Sequence, residues 1–273
     1  MNIADPHIAS DSAAPLLSAK HGKIAVATLN RPAARNALSE EMIAELTDLV
    51  GSIAADTSIA ALVIAARGPV FCAGHDLKQL TNRRTDADGG RAYFRQIMTS
   101  CSAMMQAIVN LPKPVIACVQ GMASAAGCQL VATCDLAVAS EKAQFATPGV
   151  DIGLFCSTPM VALSRNVPTK HAMEMLLTGE PVSAERALAM GLINRVVPEG
   201  REFDAALDLA RAVALKSSRV VGIGKSAFYR QREMTLAAAY DYAAEIMTES
   251  MMLQDSNEGI CAFLEKREPH WPE

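Results

Sequence analysis

Hydrophobic positions along the chain follow two different spacings. Short apolar runs at residues 23–29, 61–66 and 115–119 have the β-branched composition and the flanking breaker residues that are typical of buried strands. After the first run, apolar residues recur every three or four positions behind Ser39, whose hydroxyl and following acids predict a capped helix start. A second amphipathic helix is predicted to end near Leu111, before two prolines. The alternation of strands and helices predicts an α/β fold.

Beyond about residue 200 the strand pattern disappears. The segments 203–215, 220–230 and 235–254 predict helices that are rich in Ala and Met. Helices of this length with no sheet to pack on bury their apolar faces against the body of the protein or against a neighbouring subunit. The pattern therefore predicts three parts, namely a flexible leader over residues 1–20, a core over residues 21–200 and a helical oligomerisation region over residues 201–273.

Composition and charge exclude several classes of protein. The hydrophobic content of 51% is that of a globular protein, and 25 Lys and Arg against 29 Asp and Glu, without runs of like charge, give no surface for nucleic acid. No apolar stretch is long enough for a membrane span and no secretory signal is present, so we expect a cytoplasmic protein without a membrane partner. Seven cysteines without CxxC spacing or clustered histidines are expected to be reduced, mostly buried and not bound to metal.

Two loops carry small residues where a strand turns into a helix. Gly121 ends one strand, and the residues that open the following helix, 126–131, begin with Ala and Gly. The free N–H groups and the dipole at a helix start stabilise negative charge, and small side chains let a ligand approach them. The second loop, 71–74, leads into a helical turn that begins at His75, with Asp76 near its positive end. Tight packing of helix on sheet would also explain the small residues.

Five motifs, taken in order, carry a family resemblance. They are LNRPAARNALS (29–39), FCAGHDLK (71–78), GMASAAGCQLVATCDLAVAS (121–140), FATPGVDIGL (145–154) and LTGEPVSAERALAMGLINRVVP (177–198). Together they resemble the crotonase, or enoyl-CoA hydratase/isomerase, superfamily over about residues 23–198. The resemblance implies a ClpP/crotonase-like α/β fold, which is a spiral of ββα units followed by a C-terminal helical trimerisation region. It also implies assembly as a homo-trimer or a dimer of trimers.

The same resemblance implies an acyl-CoA thioester as the ligand, so that coenzyme A enters as part of the substrate and no cofactor is held permanently. Mapped by motif, the backbone N–H groups of His75 and Ala126 would form an oxyanion hole for the thioester carbonyl. The other positions implied for coenzyme A binding are Arg35, Ala37, Ala73, Asp76, Leu77 and Lys78. Arg35 and Lys78 would meet CoA phosphates, although solvated surface charge explains either residue equally well.

Two positions depart from the family pattern. Hydration of an enoyl double bond needs a base to activate water and an acid to protonate the α-carbon, and family hydratases use two glutamates for this. The corresponding positions here are Gln129 and Gly149. A glutamine can orient a water but does not titrate near neutral pH, and a glycine has no side chain. We therefore expect poor hydration of enoyl-CoA.

Four side chains are candidates to replace the glutamates. Asp151 is the nearest carboxylate, with a cap or a solvated loop acid as its alternative role. Ser157 and Cys156 lie where related hydrolases and dehalogenases carry an aspartate, but Ser157 would also serve as a helix N-cap and Cys156 as a buried thiol. His75 matches a residue of methylmalonyl-CoA decarboxylases, although its side chain would equally point away. Decarboxylation, thioester hydrolysis and non-catalytic acyl-CoA binding stay open beside weak hydration.

Overall fold

A computed structural model describes residues 14–271 of the chain. The strands in this part are β1 (Leu16–His21), β2 (Ile24–Leu29), β3 (Ala61–Ala66), β4 (Val70–Cys72), β5 (Val115–Val119), β6 (Met122–Ser124), β7 (Leu136–Ser140), β8 (Gln144–Ala146), β9 (Val182–Ser183) and β10 (Arg195–Val197). The α-helices are α1 (Glu40–Ala55), α2 (Leu77–Asn82), α3 (Arg91–Asn110), α4 (Ala126–Thr133), α5 (Pro159–Asn166), α6 (Thr169–Thr178), α7 (Ala184–Ala189), α8 (Glu202–Ala214), α9 (Ser218–Gln231), α10 (Leu236–Met251) and α11 (Gln254–Glu265).

The strands form two sheets, and the chain winds as a spiral that passes from one sheet to the other. The larger sheet has the order β1-β2-β3-β5-β7-β10, with β1 antiparallel at its edge and the other pairs parallel. The smaller sheet has the order β4-β6-β8-β9. Successive strand pairs, β3 with β4, β5 with β6 and β7 with β8, each give one strand to each sheet before the chain enters helices. The α/β architecture and the spiral of ββα units are confirmed.

Helices cover both faces of the larger sheet. On one face, Leu62 and Ile64 of β3 join the main hydrophobic cluster together with α1 and α3. On the other face, Val63, Ile116 and Val138 pack under α8. Because both faces are buried, the parallel strands are apolar along their whole length, which is why their sequence pattern was clear.

The first long helix begins as its sequence predicts. The Ser39 hydroxyl accepts a hydrogen bond from the Met42 N–H at 3.2 Å, which confirms the N-cap of α1. The side chains that α1 buries are those at helical spacing, Met42, Ile43, Leu46, Val50 and Ile53. This apolar stripe fixes α1 on the sheet and leaves its first turn beside the loop that follows β4.

The boundary of the leader differs from the sequence-based division. Strand β1 begins at Leu16, inside the range 1–20, and pairs with β2 from Leu16 opposite Leu29 to His21 opposite Ile24. Of its side chains only Leu17 is fully buried, so the strand lacks the apolar alternation by which a strand is recognised in sequence. Residues 1–13, to which the rest of the leader prediction applies, lie outside the described residues.

All seven cysteines lie in the described part of the chain and none forms a disulfide there. Six are buried and Cys261 is half-buried, so the prediction of free, mostly buried thiols is confirmed. Burial raises the pKa of Cys72 and of Cys128 to about 12. These thiols are therefore protonated packing residues at neutral pH.

The C-terminal helices differ in how they contact the body of the protein. Helix α8 packs on the sheet, and α9 is fastened by a buried ion pair between Lys225 Nζ and Asp135 Oδ2 at 2.7 Å. The helix predicted over 235–254 corresponds to α10, and α11 follows it as a further helix. Asp255 in the first turn of α11 accepts the Ser217 hydroxyl at 2.5 Å. Within residues 14–271 no helix has the length and apolar character that crossing a bilayer requires.

Candidate functional site

The loop after β4 is held against residues 35–38 by main-chain hydrogen bonds. The Ala73 N–H donates to the Arg35 carbonyl at 3.0 Å, and the Leu38 N–H donates to the Gly74 carbonyl at 2.8 Å. The Asp76 N–H returns a bond to the Leu38 carbonyl at 3.2 Å. In this pairing the His75 N–H points to the opposite side, and it has no acceptor among the described residues. The loop thus presents one free donor.

Asp76 fixes this loop through its carboxylate. One oxygen accepts the N–H groups of Lys78 at 3.2 Å and Gln79 at 3.4 Å, which caps α2. The other oxygen lies 3.0 Å from Arg31 Nη2, while Arg31 Nη1 donates to the Ala37 carbonyl at 2.8 Å. Burial opposes ionisation of Asp76, but the Arg31 guanidinium and the capped N–H groups outweigh it and hold the pKa of Asp76 below its usual range. An ionised Asp76 therefore ties the loop to two segments at neutral pH.

The start of α4 supplies a second free donor. Ala125 has φ 50° and ψ −116°, a conformation that costs a residue with a side chain about 1–3 kcal/mol. Its N–H donates to the Ala146 carbonyl at 2.9 Å, and its carbonyl accepts the Gln129 N–H at 3.0 Å. Ala126 is the first residue of the helix, so its N–H has no intrahelical acceptor, and it finds none elsewhere in residues 14–271. The strained residue thus aims the N–H that follows it.

Two glycines allow the loops to meet. Gly74 has φ 91°, and a Cβ built on it would lie 2.9 Å from the Ala125 Cβ and 3.2 Å from the Ala126 nitrogen. A Cβ on Gly127 would lie only 2.1 Å from the Cys72 carbonyl oxygen. Side chains are therefore excluded from both positions, and the two loops touch. We refer to residues 74–75 and 125–126, where the two free N–H groups adjoin, as the junction.

The other residues predicted to contact coenzyme A lie in or next to the two segments, residues 35–38 and the loop after β4, that main-chain pairing joins. Ala37 is buried, Ala73 is half-buried, and Arg35, Leu77 and Lys78 are exposed. Neither Arg35 nor Lys78 forms an ion pair within residues 14–271. Two unpaired cations near the free N–H groups suit an anionic ligand. The described residues contain no group of three or more His, Cys, Asp or Glu side chains that could hold a metal ion.

Three side chains near the junction have buried polar atoms without partners among the described residues. They are the two ring nitrogens of His75, Oε1 of Gln129 and the hydroxyl of Thr147. Gln129 is 5% exposed and Thr147 is 0% exposed. Burial lowers the pKa of the His75 imidazole, although the Leu38 carbonyl opposes this effect, so the ring is neutral at pH 7. The interior of the site thus carries polar atoms but no charge of its own.

Gly149, the position predicted to correspond to the second family glutamate, packs closely against the loop that follows it. Gly149 is buried, and a Cβ on it would lie 3.0 Å from both Cys156 Sγ and the Leu154 carbonyl oxygen. A glutamate there would require residues 154–156 to move. Burial raises the pKa of the Cys156 thiol, with the Gly149 N–H opposing the rise. Cys156 is therefore a buried, protonated thiol, as one of its two sequence-based interpretations has it.

Asp151 and Ser157 lie on the exposed side of the same loop. A Cβ on Gly179 would lie 3.0 Å from Asp151 Oδ2, so this carboxylate faces the end of α6. The Ser157 hydroxyl donates to the Phe155 carbonyl at 3.3 Å. The interpretation of Ser157 as the helix N-cap is wrong, because Pro159 occupies the first helical position and Thr158 precedes it.

Three residues of the site were missed in the sequence. All three, Arg31, Ala125 and Thr147, stand inside the family-like motifs, but the ion pair of Arg31 and the burial of the Thr147 hydroxyl depend on the folded chain. The backbone strain at Ala125 could not be predicted, because alanine is not typical of a positive φ. Of the predicted residues, His75 and Ala126 are brought together, and Arg35, Ala37, Ala73 and Asp76 are bonded into the same loop pair.

Comparisons with known proteins agree with this architecture. The sequence model of the enoyl-CoA hydratase/isomerase family matches residues 19–273. The human mitochondrial enoyl-CoA hydratase domain-containing protein 3 is 49% identical over 243 residues, which cover 89% of this chain and 78% of that protein. The AGHDLK and AAGCQLVA motifs predict similarity to proteins of the enoyl-CoA hydratase domain-containing protein 3 type, and this prediction is confirmed.

Solved structures give the same result. The crystal structure of the human enoyl-CoA hydratase domain-containing protein 3 is similar with a TM-score of 0.89 and 46% identity, covering 94% of this chain and 100% of that one. The enoyl-CoA hydratase of Mycobacterium smegmatis has a TM-score of 0.89 and 48% identity, covering 94% of this chain and 98% of that one. The crotonase-type fold is confirmed.

The predicted cytoplasmic location is contradicted by the relatives. The human, rat and mouse proteins of 48–49% identity are all named as mitochondrial, which points to the mitochondrion. The prediction rested on the lack of a secretory signal and of a membrane span. Neither feature distinguishes a cytosolic protein from a mitochondrial one.

Proposed function

The chain belongs to the enoyl-CoA hydratase/isomerase family, and on that basis we propose that it binds an acyl-CoA thioester and polarises the thioester carbonyl with the N–H groups of His75 and Ala126. The observation that carries this proposal is the junction, where two unpaired backbone donors adjoin and side chains are excluded. Backbone donors held in place before the ligand arrives stabilise an oxygen as negative charge develops on it, without a reorganisation cost. The strained backbone at Ala125 helps to hold these donors in place before a ligand binds. The ion pair between Arg31 and Asp76, which we call the Arg31 brace, has the same effect.

The coenzyme A part of the ligand would lie along the first loop. Arg35 and Lys78 are exposed cations without ion-pair partners in the described residues, and they are the groups we assign to the phosphates. Ala37, Ala73 and Leu77 are the residues that we assign to the pantetheine arm, and two of them have small side chains. Coenzyme A is then part of the ligand and no permanent cofactor is needed.

Efficient hydration of enoyl-CoA is not part of the proposal. Each missing proton-transfer group lowers a rate by roughly 10²- to 10⁴-fold, and both glutamate positions are altered, to Gln129 and Gly149. The exposed side chain of Asp151 faces Gly179 and offers no replacement base in this arrangement. The protein would bind and polarise a thioester while transferring protons to water or carbon poorly.

A second candidate function is acyl-CoA binding without turnover. The observation that favours it is the close packing at position 149, where a Cβ would lie 3.0 Å from Cys156 Sγ and from the Leu154 carbonyl oxygen, so that these neighbours would have to shift to admit a side chain. A reaction that needs only a stabilised enolate, such as decarboxylation, or thioester hydrolysis by a bound water, would be the catalytic versions of the same site. Mass spectrometry of products from malonyl-type, hydroxyacyl and enoyl thioesters separates these outcomes.

The proposal is tested by titration calorimetry with butyryl-CoA and by turnover of crotonyl-CoA. We expect measurable affinity, hydration far below that of an ordinary hydratase, and a gain in hydration in Gln129→Glu. Gln106→Glu, an exposed helical glutamine, is the matched control and should gain nothing. Gly149→Glu is less suitable because of the 3.0 Å contacts.

Two results would overturn the proposal. A folded protein with no affinity for acyl-CoA excludes both the enzyme and the binder. Wild-type hydration at the rate of an ordinary hydratase excludes the assignment of Gln129 and Gly149 as inactive positions.

A further inference from the structure

One buried polar side chain before the first loop of the site is bonded to the backbone at three points. Asn36 is 0% exposed. Its amide nitrogen donates to the Arg67 carbonyl at 2.8 Å and to the Val70 carbonyl at 2.7 Å. Its amide oxygen accepts the Arg31 N–H at 2.8 Å. Both amide donors are therefore used, and these partners fix which way the amide group faces.

The three bonds join segment 31–38 to the connection that leads into β4. Arg67 directly follows β3 and Val70 is the first residue of β4, so Asn36 holds both ends of the turn between these strands. The same segment is bonded to the loop after β4 by the main-chain pairing of Leu38. Segment 31–38 thus links the start of β4 to the loop that follows its end, and Asn36 makes the first of these two connections.

The backbone of this segment has a conformation that needs support. Arg35 has φ 53° and Asn36 has φ 52°, so two successive residues with side chains are left-handed. Asparagine is more tolerant of this conformation than arginine is. Such conformations persist where the surrounding contacts over-determine them, and they are concentrated at ligand sites. The bonds of the Asn36 side chain supply this support directly beside the Arg35 carbonyl, which accepts the Ala73 N–H.

The direction of the His75 N–H depends on the same segment. Leu38 pairs on both sides of His75, because it donates to the Gly74 carbonyl at 2.8 Å and accepts the Asp76 N–H at 3.2 Å. A displacement of Leu38 would therefore turn the backbone between these two bonds. The Arg31 brace holds the loop through Asp76, on the C-terminal side of His75. The position of the loop before His75 is left to the pairing with segment 31–38.

We propose that Asn36 is a positioning residue, which fixes segment 31–38 so that this segment aims the His75 N–H at the thioester carbonyl. The inference rests on the proposed function and assigns a role in it to a side chain that does not touch the ligand. The alternative is a role in stability alone. In that case the loss of Asn36 would destabilise the protein but leave the carbonyl of a bound thioester as it is in wild type. A positioning role also weakens the hydrogen bonds to that carbonyl.

The test is infrared difference spectroscopy of butyryl-CoA, isotopically labelled at the thioester carbonyl and bound to the full chain, together with titration calorimetry. The carbonyl stretch moves to lower wavenumber when its oxygen accepts hydrogen bonds, so the shift on binding reports the two N–H groups. Asn36→Gly tolerates the left-handed backbone and removes the three side-chain bonds. We expect it to lose roughly half of the wild-type shift, because one of two donors is misdirected, and to bind butyryl-CoA roughly 10-fold more weakly.

Asn194→Gly is the matched control. Asn194 Oδ1 accepts the Ala137 N–H at 2.8 Å and fastens the residue before β10 to β7, on strands that do not carry the junction. This variant should lower the melting temperature and keep the full carbonyl shift. Asn36→Ser, which retains a hydroxyl donor, takes the place of Asn36→Gly if the glycine variant does not fold, and it should also lose part of the shift.

The outcomes separate this inference from the function on which it rests. A folded Asn36 variant with the full wild-type shift would overturn the inference, and so would an equal loss of shift in Asn194→Gly. A wild-type protein that binds butyryl-CoA without any shift of the carbonyl stretch would instead contradict the proposed function.

Discussion

At the scale of single residues, close backbone approach decides the geometry of the site. Gly127 packs the start of α4 directly on the Cys72 carbonyl, and Gly74 does the same between the two loops. Neither position tolerates a Cβ, so the distance between the two free N–H groups depends on the absence of two methyl groups. The polar side chains of the site act within a frame that these glycines set.

Gly127→Ala should therefore destabilise the protein strongly. The new Cβ would lie 2.1 Å from a backbone oxygen, and relief requires α4 to shift away from β4. We expect a loss of about 3 kcal/mol or more in the free energy of unfolding, measured by urea denaturation, together with loss of acyl-CoA affinity. Gly51→Ala is the control, because Gly51 is exposed on α1 with nothing within 4 Å of its Cβ position, and the variant should gain about 0.5–1 kcal/mol. Equal stability of the two variants would contradict this account of the junction.

At the scale of elements, the Arg31 brace joins the loop after β2 to the start of α2. Arg31 reaches the Ala37 carbonyl and the Asp76 carboxylate, so it ties together the two segments whose backbone pairing directs the His75 N–H. The pair is partly buried, with 25% and 13% of the two side chains exposed. Arg31 therefore acts on a ligand through the position of the loop and need not touch the ligand itself.

Arg31→Gln should lower the affinity for butyryl-CoA by roughly 10-fold, the scale of one hydrogen bond to a charged group. Arg165→Gln, which breaks an exposed ion pair with Glu233 at 3.5 Å, should leave the affinity unchanged. The affinity for free coenzyme A should decrease less than the affinity for butyryl-CoA. The variant weakens the contact with the thioester carbonyl, and free coenzyme A has no such carbonyl. A uniform loss for both ligands would mean that Arg31 binds the nucleotide part instead.

The same brace predicts a pH dependence of stability. Because the pKa of Asp76 is held below its usual range, its ionised form stabilises the folded state above the pKa of the unfolded chain, about pH 4. That contribution is lost as the pH falls through the lower pKa of the folded state. The difference in urea midpoint between wild type and Arg31→Gln should therefore shrink from pH 5 toward pH 2. A constant difference over that range would show that Asp76 ionisation has no part in the brace.

Elements with a strong local pattern could be predicted from the sequence, and elements fixed by distant partners could not. The strand at 61–66 follows from its continuous apolar run, and the capped start of α1 follows from a serine hydroxyl beside its own helix. Strand β1 has only Leu17 fully buried and depends on β2 for its pairing. The junction was predicted by motif, but the strain at Ala125 and the unpaired hydroxyl of Thr147 depend on contacts between segments far apart in the sequence.

At the scale of the whole molecule, one largely buried network holds helix α9 to the core. Lys225 donates to the Asp135 carboxylate at 2.7 Å and to the Ile108 and Lys113 carbonyls at 3.0 Å. The Tyr229 hydroxyl donates to the other oxygen of Asp135 at 2.9 Å. Burial lowers the pKa of Lys225, and the neighbouring Asp135 opposes the shift. The Lys225 side chain is only 6% exposed, so its removal would leave a carboxylate with no cation.

Lys225→Met should lower the free energy of unfolding by about 3 kcal/mol, because the partly buried Asp135 carboxylate loses its counter-ion. Adding Asp135→Asn should recover part of that loss, since the charge itself is removed. Lys216→Met, an exposed lysine in the loop before α9, should change stability by less than about 0.5 kcal/mol. Thermal denaturation of the four proteins measures these differences, and a Lys225→Met midpoint equal to that of Lys216→Met would contradict the network's role.

The exposed apolar surface of the last two helices leads to a prediction about assembly. Helix α10 buries none of its residues in a single chain, and Leu236, Tyr240 and Met247 are 76%, 71% and 63% exposed. Phe263 and Leu264 of α11 are 82% and 73% exposed. Contiguous apolar surface of this kind is rare on monomers and is typical of an interface. We therefore keep the prediction that copies of this chain cover it, as a homo-trimer or a dimer of trimers.

Light scattering coupled to size exclusion tests this assembly, because three copies of the 29.0 kDa chain weigh about 87 kDa and six weigh about 174 kDa. Tyr240→Asp/Met247→Asp places two charges on the same face of α10, two turns apart. It should shift the mass toward that of a single chain while the far-UV circular dichroism spectrum stays unchanged. Glu249→Gln, on the same helix, should leave the mass as in wild type. A monomeric wild type at micromolar concentration would contradict the predicted assembly. The apolar faces of α10 and α11 would then have to be covered by something other than a second copy of the chain.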